Sequence, residues 1–285
     1  MTLSPDDRHA PVTHYENFPV ASWLCPARLR PPVAAIYWFA RTADDLADEG
    51  DAPAEKRFET LEVYRADLLA CYAGTADSGR WPQVFGALRR AVREFDLPCE
   101  PLGRLLDAFC QDVAKTRDGA GYADREELLA YCSRSADPVG RLLLHLYGVR
   151  DAQALARSDA ICSALQLINF WQDLGLDVQR GRYYLPAADC RRHGLDPDAP
   201  ATWAAHPNAP ALVAELCDWA RGLMLSGAPL VHRVPGRAGW ELRLVVQGGL
   251  RILDKTAAQG FDTLHRRPRL HRPDYATLLW RAVWM

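Results

Sequence analysis

A chain of 285 residues, 49% hydrophobic and 25% charged, can bury a substantial core, which excludes disordered and fibrous classes. Its formal net charge of -2 supplies no bulk positive field, so no nucleic acid partner is expected and any basic binding surface must be local. No apolar run nears the roughly 18 residues of a membrane span, and Met1 to Thr13 lacks the apolar stretch of a leader, so the expectation is a soluble, cytoplasmic protein.

Apolar residues recur at helical spacing while alternating β-branched runs are missing, which predicts an all-α fold, a single domain over 1–285 with no composition break. Helices are expected near 31–48, 53–72, 82–96, 102–115, 124–148, 151–179, 209–233, 237–259 and 273–284. Pro31 and Pro32 suit the opening of the first, where the missing N–H costs nothing, and Gly50 suits its stop. On that helix Tyr37, Arg41, Asp44 and Asp48 follow steps of four, three and four along one face, with Asp45 beside them. Val33, Ile36, Ala40 and Ala43 form the opposite, core-packing face, so the polar stripe faces either solvent or a cavity. An acidic pattern this short also fits a solvated helix end.

Between 151 and 179, Gln166, Asn169, Asp173 and Asp177 form a second polar line, surrounded by Leu165, Leu167, Ile168, Phe170, Trp171, Leu174 and Leu176. A helix apolar on most sides is normally buried. Carboxylates about 6 Å apart repel by roughly 3 kcal/mol at an effective dielectric near 20, so such a stripe calls for a cation. Aspartates plus an asparagine suit Mg²⁺, which keeps waters and borrows phosphate oxygens, and so point to a diphosphate substrate. The stretch 186–210 is rich in proline, alanine and aspartate and reads as a long connection with one short helix. Eight cysteines without zinc spacing read as buried reduced thiols. The basic run His265 to Arg272, followed by Leu278, Leu279, Trp280, Val283 and Trp284, reads as a helix capping the cavity; a second reading is contact with a membrane.

Several strings resemble the squalene/phytoene synthase family: Arg41-x-x-Asp44-Asp45-x-x-Asp48, Gln166 to Asp177 followed by Gly181-Arg182-Tyr183-Tyr184-Leu185-Pro186, Tyr131 to Gly140, and His14 to Phe18. The resemblance implies an isoprenoid synthase (terpenoid synthase type I) helical bundle around a central cavity. It implies Mg²⁺ held by Asp44, Asp48, Asn169, Asp173 and Asp177, with substrate bound by His14, Asn17, Tyr37, Arg41, Gln166 and Arg182. Tyr37 and Tyr131 would line the cavity near the reacting carbons. Two departures are informative. Gln172 stands where many relatives carry arginine and becomes a candidate to position water, and Gly249 stands ahead of Ile252-Leu253 where condensing synthases often carry tyrosine, so the cavity should be reshaped there.

Strings such as Phe18 to Ser22 and Val246 to Leu250 resemble a bacterial subgroup of hopanoid biosynthesis. The implied reaction converts presqualene diphosphate and water to hydroxysqualene, without NADPH, and implies a functional link to neighbouring squalene-pathway enzymes and at most a peripheral place at the inner membrane face. Condensation of two prenyl diphosphates, to presqualene diphosphate, dehydrosqualene or phytoene, is the nearest alternative. A non-catalytic assembly factor of the same fold is another, which the intact aspartates oppose, and an acidic helical interaction module leaves the second stripe unexplained.

Overall fold

The computed structural model describes residues 24–285, and among them the chain is helical with no strand. The helices are α1 (Arg30–Asp48), α2 (Ala54–Ala73), α3 (Pro82–Phe95), α4 (Cys99–Asp118), α5 (Arg125–Ser135), α6 (Asp137–Leu146), α7 (Ala152–Gln179), α8 (Ala187–Arg192), α9 (Ala209–Gly227), α10 (Gly236–Ala258) and α11 (Arg272–Val283). The all-α expectation holds, and the departures from it are made by proline. The single helix expected over 124–148 is two, because Pro138 has no N–H to continue the ladder and opens α6 at its first turn. The helix expected to reach 233 ends at Gly227 and passes into a 3-10 turn, Ala228–His232, that contains Pro229.

Local chemistry fixes the starts of the two helices that flank these breaks. The Asp124 side chain accepts from the Glu127 N–H to cap α5, and the Asp151 side chain accepts from the Ala154 N–H at 2.9 Å to cap α7. With 28 residues, α7 is the spine of the bundle, packed by α5, α6, α9 and α10. Apolar side chains gather in two main clusters. One joins α1, α2, α3 and α4 around Phe39, Tyr64 and Phe85; the other surrounds α7 with Trp171, Trp203, Leu212 and Met224. A cavity lies between them, walled by α1, α6, α7 and α10.

The core face of α1 is Ala35, Ile36, Phe39, Ala43 and Ala47, rotated from the face expected, so that Val33 and Ala40 join Tyr37, Arg41 and Asp44 in lining the cavity. On α7, Leu176 is 43% exposed rather than part of the apolar surround. All eight cysteines are free thiols and six are buried. No helix among the described residues is long and apolar enough to cross a membrane.

Candidate active site

Both acidic clusters sit in the last two turns of their helices, where backbone carbonyls make the helix end electronegative and carboxylates are disfavoured. Neither α1 nor α7 carries a basic residue in its last turn to offset this. Compensation comes instead from three arginines. Arg41 pairs with Asp44 at 3.1 Å and Asp45 at 2.7 Å, Arg182 pairs with Asp48, and Arg267 grips Asp173 with two nitrogens, Nη2 lying 2.9 Å from Oδ2. Arg182 arrives because Gly181, with φ +74, adopts the left-handed geometry that turns the chain back at the end of α7, and the Arg182 N–H donates to Asp177 O at 2.9 Å.

Crowding leaves its mark on the carboxyls. Burial, then Asp48, raises Asp44 to about 6 against the pull of Arg41. Burial, then Asp173, raises Asp177 to about 7 against Arg182, Arg180 and Arg267. A third buried carboxylate on α4, Asp112, also rises to about 7, chiefly through burial, and accepts the Tyr131 hydroxyl at 2.8 Å.

The cavity has a volume of about 590 Å³, and its two ends differ. Tyr37, Arg41, Asp44, Gln166, Asn169 and Asp173 all line it, so the two polar stripes meet across one space, joined there by Arg267. Away from that end the walls are aliphatic, with Val33, Ile36, Leu143, Leu165, Val234 and Leu242. Polar groups return only sparsely: Ser158 and Glu241 line the wall, and the Tyr147 hydroxyl donates to Cys25 Sγ at 3.7 Å.

Other expected site residues lie elsewhere. Asp48, Asp177 and Arg182 sit just behind the acidic end, tied to it by charge rather than lining the space. Tyr131 does not line the cavity; it is buried in an aromatic stack with Tyr122, Phe170 and Tyr184, where the last two rings are 3.7 Å apart. Gln172 is buried outside the cavity, and its Nε2 donates to Pro268 O at 2.8 Å, so it holds the 262–271 segment rather than a water in the cavity. The Gly175 N–H donates to Thr263 O at 3.3 Å beside it, and a Cβ on Gly175 would lie 2.3 Å from Leu264 O. Gly249 also lies off the lining: a Cβ there would meet Met224 at 2.9 Å and Leu165 at 3.1 Å, so glycine lets α10 pack closely and shapes the cavity only through Leu165. His14 and Asn17 lie outside the described residues.

The cavity-capping expectation for the C-terminal helix is corrected as well. No residue of α11 lines the cavity; Arg267, from the strap before it, does. Arg267 and Asp112 were the residues sequence reasoning missed. Asp112 had a signal, because with Leu105, Ala108 and Phe109 it continues the buried stripe of α4 at helical spacing, where a charge is unexpected.

Oxygen donors alone line the acidic end apart from its arginines, which suits a hard divalent cation. Among the described residues no three acidic, histidine or cysteine side chains already converge on one point, so Asp44 and Asp173 offer separate footholds rather than a closed cage. A cation with its own waters and phosphate oxygens fits such footholds, and Arg267 supplies positive charge to Asp173 in this structure.

An all-helical cavity with two acidic helix ends at one pole is the arrangement that the sequence resemblance implies. The squalene/phytoene synthase family model matches residues 12–274, and the chain belongs to that family. It is 38% identical to a hydroxysqualene synthase of Rhodopseudomonas palustris over 65% of this chain, spanning 60% of that relative's own length. It is 33% identical to a phytoene synthase of Thermus thermophilus over 94% of this chain and 88% of the relative. The crystal structure of squalene synthase HpnC from Alicyclobacillus acidocaldarius superposes with a TM-score of 0.78 at 36% identity, covering 87% of this chain and 90% of that one.

Proposed function

We propose that this protein converts presqualene diphosphate and water to hydroxysqualene and diphosphate, with Mg²⁺ and without NADPH. The observation that carries the reading is the polarity of one cavity: an end of carboxylates and arginines that suits a diphosphate, continuous with an aliphatic remainder that suits a long prenyl chain. Asp44, Asn169 and Asp173 on the lining, with Asp48 and Asp177 behind them, would hold the metal. Bound there, Mg²⁺ supplies Lewis-acid stabilisation of the departing diphosphate.

The chain's own residues do the rest. Arg41, Arg182 and Arg267 stabilise charge gathering on the leaving oxygens, the preorganised contribution that dominates many enzymes. Tyr37 turns an electron-rich ring towards the cavity, where a carbocation is stabilised. Breaking the carbon–oxygen bond leaves a cyclopropylcarbinyl cation that rearranges within walls that exclude stray water. A water oxygen then bonds to the cation and its proton passes to a carboxylate. Glu241, on the wall away from the acidic end, is suited to accept it.

Purified protein is incubated with presqualene diphosphate and Mg²⁺, with no NADPH, and the lipid product is identified by mass spectrometry. Hydroxysqualene is expected; its absence sinks the reading. Condensation of two prenyl diphosphates is the second reading, favoured by the likeness to a phytoene synthase along 94% of the chain. Supplying farnesyl or geranylgeranyl diphosphate in parallel separates the two.

A further inference from the structure

Helix α11 buries one side only. Asp274, Leu278 and Ala282, at steps of four, are buried, whereas Leu279, Trp280, Val283 and Trp284 are 58, 66, 55 and 74% exposed. These four share one stripe of the helix, and the two indoles meet edge to face with centroids 5.7 Å apart. The apolar surface continues into a groove bounded by Leu225, Ala228, Leu250 and Met285. Scattered exposed apolar residues are ordinary, but a contiguous patch with paired tryptophans marks a surface that meets something.

The charge around the patch says what it meets. Arg269, in the strap leading into α11, and Arg272, its first residue, are exposed, as is Arg266, which reaches Asp262 at 4.0 Å. Acids in the region already have partners: Asp274 is buried between Arg251 at 2.7 Å and Lys255 at 2.8 Å, Asp254 takes Arg221 and Arg281, and Asp262 faces Arg266 at 4.0 Å and hydrogen-bonds the His265 ring at 2.6 Å. The surface is therefore apolar at its centre and positive at its flank. A helix of that kind, with aromatic rings on the open face, lies in the headgroup layer of a bilayer.

We propose that α11 docks the protein onto an anionic lipid surface, with Trp280 and Trp284 seated among the headgroups and the flanking arginines on their phosphates. Helix α10 carries α11 and also lends Ala238, Leu242 and Val245 to the cavity wall, so docking places the cavity one helix away from lipid. The docking does not depend on which prenyl product is made.

The test uses the full chain and no prenyl diphosphate. Wild-type protein is co-sedimented with vesicles of phosphatidylcholine alone or mixed with phosphatidylglycerol, while tryptophan emission is recorded. Binding to the mixed vesicles with a blue shift, weakened by salt, is expected. W280S/W284S lowers the partition coefficient at least about tenfold, and R269Q/R272Q lowers it by about fivefold per charge removed. Both variants keep wild-type helical circular dichroism. No binding of the wild type to anionic vesicles, or equal binding of both variants, overturns the proposal. A lipid-free dimer that W280S/W284S dissociates overturns it too, since a second copy is then the occupant. Should the tryptophan variant fail to fold, the wild-type emission shift and R269Q/R272Q decide.

Discussion

The two ends of the cavity are built on opposite economies of charge. At one end, carboxylates are massed on helix termini that repel them, and arginines from three parts of the chain hold them together. At the other, aliphatic walls admit one carboxylate, Glu241, and a few weak dipoles. In the proposed reading the first end tolerates electrostatic cost because a cation and an anion bind there, and the second minimises charge so that a carbocation meets few competing nucleophiles. The proposed reaction assigns carbon–oxygen cleavage to the acidic end, and the fate of the resulting cation to the apolar one.

Substitutions break that division in graded ways. The largest effect is expected at the acidic end: Asp173→Asn or Asp177→Asn should lower diphosphate release by about 10³-fold or more with unchanged helical circular dichroism. At the other end, Glu241→Gln should cut hydroxysqualene by about 10²-fold while diphosphate release persists, read as the ratio of the two products. Equal loss of both would place Glu241 in binding instead. Between the ends, Gln172→Ala removes the tie to Pro268 O and should cost about 1 kcal/mol of stability in denaturant melts, raising KM severalfold with little change in kcat, because Arg267 is then held less firmly.

The smallest effect concerns a buried carboxyl outside the cation site. Asp137, which accepts the Ser163 hydroxyl at 2.9 Å, is raised to about 7, chiefly by burial. Between the usual carboxylate range near 4 and this value the folded state binds more protons than the unfolded, so this group's contribution is largest at low pH and lost as pH rises through about 7. Asp137→Asn removes that dependence. Melting temperatures of the variant should gain a few degrees on the wild type between about pH 5 and 7.5.

The helices were legible because their apolar periods are strong, and the two missed breaks lie at Pro138 and Pro229, inside runs apolar enough to hide them. The acidic end was legible in its α1 and α7 residues, which carry their pattern within single helices. Arg267 was not, since it reaches the cavity from a strap with no periodicity, placed by Gly175 and Gln172 nearly a hundred residues away in sequence. Tyr131 and Gln172 were displaced from their expected roles for a related reason. Spacing places a residue on a helix face, but which neighbour covers that face depends on elements joined only in the fold.

In the proposed reading, where Asp173 helps to hold a cation, the grip of Arg267 on Asp173 competes with that cation. A metal ion approaching alone must displace a guanidinium that two nitrogens hold in place, so its apparent affinity is weakened by the fraction of molecules in which the pair is closed. A diphosphate arriving with the metal gives the displaced guanidinium a new anion. Metal and anion should therefore bind synergistically, each weak by itself and each strengthening the other by the same factor.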